Sequence, residues 1–276
     1  RNMSEPAPDR PAGLFARLAA LPNDSVGKIL LVTITLSLVC SVLVSSAAVV
    51  LKPMQDRNVE LARKARILEV AGLLEPGRPV AELFERVESR LVDLETGEFS
   101  DAFDPDDYDQ QIAARNPELS HALPPWEDIA GIRRRARYAP VYLVRAGDEL
   151  DKIILPVHGY GLWSTMYGFL ALSGDTREVR GLVFYQHAET PGLGGEIDNP
   201  RWRERWIGRQ VFGPDGEVML RVVRGSVDPA SPLADYAVDG ISGASLTAEG
   251  VSNMVQFWLG QSGFGPFLAR LREEGA

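Results

Sequence analysis

From Ile29 to Leu51 the chain runs for 23 residues without a charge, bracketed by Lys28 and Lys52. As a helix this run is about 34 Å long, enough for a hydrocarbon core of ~30 Å. The alternative is a cleaved signal peptide, with Ser45-Ser46-Ala47 as a small-residue cleavage site. A head of 28 residues and an apolar run longer than a usual signal core count against it. The expectation is a retained transmembrane helix over 29–51. Within it Thr33, Ser37, Ser41 and Ser45 recur at every fourth residue and draw one small, polar stripe. Such a stripe suits packing on another transmembrane helix. Hydroxyls bonding back to their own helix carbonyls are the plainer alternative.

Charge divides the chain at the same place. The 276 residues carry a net charge of -9, yet residues 1–28 hold four bases and three acids, so the remainder carries -10. An acidic body argues against nucleic-acid binding. Five bases follow the span closely (Lys52, Arg57, Arg63, Lys64, Arg66), so the positive-inside rule gives no orientation. The single cysteine, Cys40, and three scattered histidines, His121, His158 and His187, exclude a disulfide scaffold and suggest no metal site.

After the span, residues 54–71 keep helical apolar spacing at Val59, Ala62, Ile67 and Val70, and read as a stalk. Residues 79–91 read as a second amphipathic helix. Asp93–Asp109 holds eight acids and no base. It lacks the spacing, central Gly and closing Glu of a calcium loop, so a solvated acidic loop is expected. The basic run Arg133–Arg137 follows and could simply balance it. From 139 the period becomes that of strands. Two hairpins turn at Gly147-Asp148 and Gly174-Asp175; a short helix over 199–208, a strand over 217–225 and helices at 247–259 and 264–273 complete the pattern. The expected class is α+β: a twisted antiparallel sheet with flanking helices, plus the transmembrane helix. The expected division is a head over 1–28, the span 29–51, a stalk and helical, acidic subdomain over 52–138, and a ligand-binding domain over 139–276.

Three stretches carry chemistry. Asp239-Gly240-Ile241-Ser242-Gly243-Ala244-Ser245-Leu246-Thr247 lies between a short strand and a helix. Unshielded backbone and hydroxyls at a helix N-terminus can hold a phosphate. It is not a P-loop, and from spacing alone capping of the helix by Ser245 or Thr247 is the plainer reading. His187–Gly195 holds three Gly and a Pro, a tight turn whose backbone could meet a flat ligand. Gly159-Tyr160-Gly161-Leu162-Trp163 turns one strand into the next and offers an aromatic ring.

Together these stretches resemble the C subunit of the sodium-translocating NADH:quinone oxidoreductases. The resemblance covers nearly the whole chain, through the N-terminal span, GYGLWSTMYGFLAL, HAETPGLG and DGISGASLT. It implies an FMN esterified through its phosphate to a hydroxyl residue by a flavin transferase, which splits FAD. On this sequence that residue is Ser245, a Ser where the family usually has Thr, framed by Asp239, Ser242, Gly243 and Ala244. Thr247 is then left as helix cap. Trp163 and the turn Glu189, Thr190, Gly192, Leu193 and Gly194 are the candidates for flanking the ring. No residue is assigned a catalytic role, since the flavin performs the redox chemistry. The resemblance further implies an electron carrier in the bacterial inner membrane, with a cytoplasmic head and a periplasmic large domain. Its implied partners are the A, B, D, E and F subunits of the complex, chiefly the B subunit and the iron–sulfur-bearing D/E pair. Ubiquinone is the implied acceptor and Na⁺ pumping the output. Two other readings remain: an Rnf-type or free-standing periplasmic flavoprotein, and an anchored non-redox binding module.

Overall fold

The structure, a computed structural model, describes Pro22 and residues 25–274; the head over 1–28 falls almost wholly outside them. The chain separates into two units, Arg1–Val59 and Glu60–Ala276. A 46-residue helix, α1 (Val26–Ala71), contains the uncharged span, and among the described residues it is the one helix long and apolar enough to cross a membrane. In the first unit the hydroxyl-bearing residues Thr33, Ser37, Ser41 and Ser45 are all exposed.

The second unit begins with the last turns of α1, which bury Ile67, Leu68, Val70 and Ala71. Then come α2 (Val80–Phe84), β1 (Val87–Asp93), β2 (Glu98–Ser100), α3 (Gln110–Arg115), β3 (Ser120–Ala122) and β4 (Arg134–Ala136). Four long strands follow: β5 (Tyr138–Ala146), β6 (Glu149–Tyr160), β7 (Thr165–Ser173) and β8 (Val179–Gln186). The chain ends with α4 (Pro200–Arg203), β9 (Arg221–Val222), β10 (Ala237–Val238), α5 (Ser245–Leu259) and α6 (Gly265–Glu274). Six strands form one sheet of order β2-β1-β5-β6-β7-β8, antiparallel at every pairing. This is the α+β class expected.

Alternate residues of the long strands feed two cores. Val141, Leu143, Ile153, Leu155, Leu170, Leu172 and Leu182 pack with α5 and α6. Tyr142, Val144, Ile154, Phe169, Ala171 and Val183 pack with α1 and α2. Both sheet faces are therefore dry, which is why these strands read as near-continuous apolar runs rather than alternating ones.

Two sequence expectations need correction. The helix expected over 79–91 stops at Phe84, and Val87–Asp93 instead pairs along its whole length with β5, from Val87 opposite Val144 to Asp93 opposite Tyr138. Val87 and Leu91 fit a helical spacing, but an open sheet edge offers seven residues of ladder, and tertiary pairing overrides local pattern. The strand expected over 217–225 shrinks to Arg221–Val222, paired in parallel with β10. The acidic stretch is solvated as expected at Glu95, Glu98, Asp101, Asp104, Asp106, Asp107 and Asp109, all exposed, while buried Asp93 takes two bonds from Arg137 and Asp109 caps α3 through Gln111 and Ile112. Of the basic run, Arg137 alone is seen pairing with that stretch, through Asp93 and Glu95.

Candidate functional site

The three stretches singled out in the sequence meet at one buried carboxylate. Glu189, 4% exposed, follows the end of β8. Its Oε1 accepts the backbone N–H of Trp163 at 3.0 Å, Leu162 at 3.1 Å and Ser164 at 3.4 Å. Its Oε2 accepts the Thr247 hydroxyl at 2.5 Å and a second approach from Leu162 N at 3.3 Å. Burial alone would push this carboxyl up. The Thr247 hydroxyl and the amides of Trp163, Leu162 and Ser164 outweigh that and hold it below the usual range.

Glycines make room for the knot. A Cβ on Gly161 would lie 2.6 Å from Glu189 Oε1, and one on Gly194 would lie 2.5 Å from Thr247 Oγ1. Nearby, the Ser164 hydroxyl accepts the Ala188 N–H at 2.8 Å, fastening the two turns a second time. His187 is held too: its Nδ1 accepts the Glu189 N–H and its Nε2 donates to Asp198 Oδ2 at 2.8 Å. It is a strand-end histidine with both nitrogens satisfied.

The 239–247 turn has two sides. Thr247 is fully buried and its hydroxyl serves Glu189, so it is not the cap of α5 as expected. The cap position is Ala244, which makes no side-chain cap bond. A hydroxyl at the third helical position points inward here, because that face of α5 lies on the core. Ser245 opens α5 with its side chain exposed, as is Ser242. Gly243 adopts φ 75°, a conformation natural to Gly, and a Cβ there would come 3.0 Å from Leu193 Cδ2. That contact brings the 189–194 turn against the Ser242–Ser245 turn. Asp239 is committed elsewhere: Oδ1 accepts Val227 N at 2.7 Å, Oδ2 pairs with Arg205 at 2.6 Å, and its carbonyl accepts the Trp202 indole at 2.8 Å.

Ser245 also lines a cleft of about 240 Å³ with Arg221, Arg224, Gly225, Gly240 and the acidic Glu249. The two arginines were missed in the sequence, where they sat in what read as an ordinary strand. The free N-terminal amides of α5, its dipole and two guanidinia suit a phosphate. Around the knot, Leu162, Trp163, Leu193 and Leu246 are 40–64% exposed, an apolar rim suited to a flat ring. Gly192, at φ 76°, and Thr190 sit on the exposed outside of their turn, with open space beside Gly192. The residues thus fit a group with a phosphate at one end and an aromatic system at the other.

Comparison with known proteins gives the family. Residues 161–260, which hold the Gly161–Ser164 loop, Glu189 and Ser245, match the FMN-binding domain family. The C subunit of the Na(+)-translocating NADH-quinone reductase of Pseudomonas aeruginosa is 52% identical over 255 residues, 91% of this chain and 98% of its own length. Its namesake in Vibrio alginolyticus is 50% identical, over 91% of this chain and 97% of its own. The crystal structure of Shewanella oneidensis NqrC superposes with a TM-score of 0.71 at 34% identity, covering 79% of this chain and 99% of that one. That of the counterpart from Parabacteroides distasonis gives 0.61 at 27% identity, covering 79% and 96%. On identity and coverage alike, the chain belongs to the C-subunit family of the Na(+)-translocating NADH-quinone reductases.

Proposed function

We propose that this chain is the anchored electron carrier of an Na⁺-pumping NADH:quinone reductase, with FMN esterified through its phosphate to Ser245. The observation that carries the assignment is the division of labour among the hydroxyls. Thr247 is buried and bonded to Glu189, whereas Ser245 stands exposed at the first position of α5, in the cleft lined by Arg221 and Arg224. A helix turns 100° per residue, so these two side chains point about 200° apart and cannot share a site.

In maturation, the Ser245 oxygen attacks the FMN-side phosphorus of FAD on a flavin transferase. The new Oγ–P bond replaces the pyrophosphate P–O bond, AMP leaves with the bridging oxygen, and the hydroxyl proton passes to solvent. Bound, the isoalloxazine supplies the redox chemistry. The chain's own residues do the rest. Arg221, Arg224 and the α5 amides neutralise the phosphodiester, the Glu189 knot fixes the three turns, and Leu162, Trp163, Leu193 and Leu246 limit water at the ring.

The uncharged span of α1 supports a single-pass anchor. Family membership supports inner-membrane placement, a periplasmic large domain, the B subunit and the iron–sulfur-bearing D/E pair as neighbours, and ubiquinone as final acceptor. No charged residue lies within 29–51 to carry an ion, so the Na⁺ path belongs to partner subunits.

Flavin fluorescence on a denaturing gel, followed by peptide mass spectrometry, tests the reading. Ser245→Ala should abolish the adduct and Ser245→Thr should keep it. An FMN adduct on the Ser245→Ala protein overturns the assignment.

A further inference from the structure

A second concave site lies beside the flavin loops and shares no residue with the knot. A groove of about 510 Å³ is lined by Gln111 and Arg115 from α3, Arg133 and Arg134 from the chain entering β4, and His158, Tyr160, Thr165 and Tyr167 from the β6–β7 hairpin. Its volume is that of a small-ligand site. In a chain of net charge -9, its lining holds three arginines and no carboxylate.

Two of those arginines are unused. Arg134 is bound to the Ser120 hydroxyl and carbonyl, at 3.0 and 2.9 Å. The guanidinia of Arg115 and Arg133, by contrast, have no hydrogen-bond or ion-pair partner among the described residues. Of the basic run Arg133–Arg137, Arg137 pairs with the acidic stretch, and Arg133 does not.

Arg133 is also held where an arginine is strained. Its φ is 65°, the left-handed region, which Gly adopts freely and other residues rarely do. The Asp128 carboxylate enforces it: Oδ1 accepts the Ile132 N–H at 2.8 Å and Oδ2 the Arg133 N–H at 2.7 Å. Both Asp128 oxygens are thereby engaged, and neither Asp128 nor Glu127, the other acid of this loop, lines the groove.

The floor is polar and charge-neutral. The His158 ring sits 5.4 Å from the Tyr167 ring and 4.8 Å from that of Trp258, and burial drops its pKa to about 4. At neutral pH it therefore offers one donor and one acceptor without a charge. The hydroxyls of Tyr160, Thr165 and Tyr167 add further donors.

We infer that this groove binds a phosphate group, gripped by the Arg115 and Arg133 guanidinia and seated on the His158, Tyr160 and Thr165 side chains. Arginine's planar fork matches phosphate oxygens, and two forks without a competing carboxylate are the minimum of such a site. The phosphate can arrive on a small soluble compound or on a lipid headgroup.

Calorimetric titration of the full chain in detergent, at constant ionic strength in chloride, tests this. The probes are inorganic phosphate, AMP, adenosine and dihexanoyl phosphatidic acid. AMP and inorganic phosphate binding without adenosine supports a soluble phosphate; dihexanoyl phosphatidic acid binding alone supports a headgroup. In either case Arg115→Ala with Arg133→Ala should weaken binding at least about tenfold. Arg133→Gly separates binding from folding, because it relieves the strained φ while removing the guanidinium. Its melting temperature should hold or rise while its affinity falls. Binding unchanged in these variants, or no binding by any phosphate probe up to about 10 mM, overturns the inference. In a Ser245→Ala background, where the emptied Arg221–Arg224 cleft is itself open to phosphate, the loss caused by Arg115→Ala with Arg133→Ala should persist, so failure here is distinguishable from failure of the flavin assignment.

Discussion

Two sides of one turn do opposite work. On the inner side, Thr247 and Gly194 close over Glu189, whose two oxygens take the amides of Leu162, Trp163 and Ser164 and the Thr247 hydroxyl. On the outer side, Ser242 and Ser245 are exposed, α5 has no side-chain cap, and Arg221 and Arg224 face a cleft. The inner side holds charge that is fully compensated, which rigidifies. The outer side leaves backbone amides and guanidinia uncommitted, which is what an incoming phosphate needs. The flavin attachment proposed at Ser245 calls for both: a fixed frame, and an attachment point that is open.

The sharpest way to break the inner side is to remove its carboxylate. Glu189→Ala strands the Thr247 hydroxyl and the amides of Leu162, Trp163 and Ser164. It should cost about 3 kcal/mol or more in denaturant unfolding. Gly194→Ala should approach that, at about 2–3 kcal/mol, because its Cβ meets Thr247 Oγ1 at 2.5 Å and Glu189 Oε2 at 2.8 Å, both pinned. The carboxylate also leaves a pH signature. Because it titrates lower folded than unfolded, its contribution is complete above about pH 4.5, its unfolded value, and is lost as pH falls through the folded one. The advantage of the wild type over Glu189→Gln should therefore be full above pH 4.5 and shrink as pH falls from there through the lower folded value. A difference independent of pH would mean the carboxylate's charge is irrelevant to the knot.

Thr247 draws the line between the two sides. Thr247→Val keeps the shape, removes the hydroxyl and leaves Oε2 with the 3.3 Å approach from Leu162. A loss of about 1–2 kcal/mol is expected, with the flavin still attached. Thr247→Ser should recover most of it. If Thr247→Val instead abolishes the adduct, the hydroxyls have been assigned the wrong way round.

This division was only half legible in the sequence. The hairpins β5–β6 and β7–β8 were, because Gly147-Asp148 and Gly174-Asp175 punctuate apolar runs of strand length. The three turns were legible one at a time, through their Gly and Pro content. What joins them was not. Glu189 reaches amides 25–27 residues back and a hydroxyl 58 residues on, and no local pattern encodes a carboxylate's distant donors. Thr247 read as a cap for the same reason. Hydroxyls near a helix start usually serve the helix, and only the core under α5 shows which way this one faces. Arg221 and Arg224 stayed hidden inside an apolar run whose two paired residues hardly form a strand. At β1 the loss was of another kind: Val87, Leu91 and Val92 suit either period, and the vacant edge of β5 decided between them.

The smallest effect on stability should come from the rim. Trp163 commits its backbone N–H to Glu189 but leaves its indole 64% exposed, so truncation removes little buried area. Trp163→Ala should change unfolding free energy by no more than about 0.5 kcal/mol. If the indole flanks the ring, the same variant should shift the flavin absorption and raise its fluorescence, since an adjacent indole quenches by contact. Gly192→Val is the companion measurement. Its Cβ enters open space, so any spectral change must come from new bulk near the ring or from a turn strained at φ 76°. A changed spectrum in Trp163→Ala with unaltered stability separates the rim from the knot. An unchanged spectrum in both variants would put the ring on the other side of Ser245, over the Arg221–Arg224 cleft.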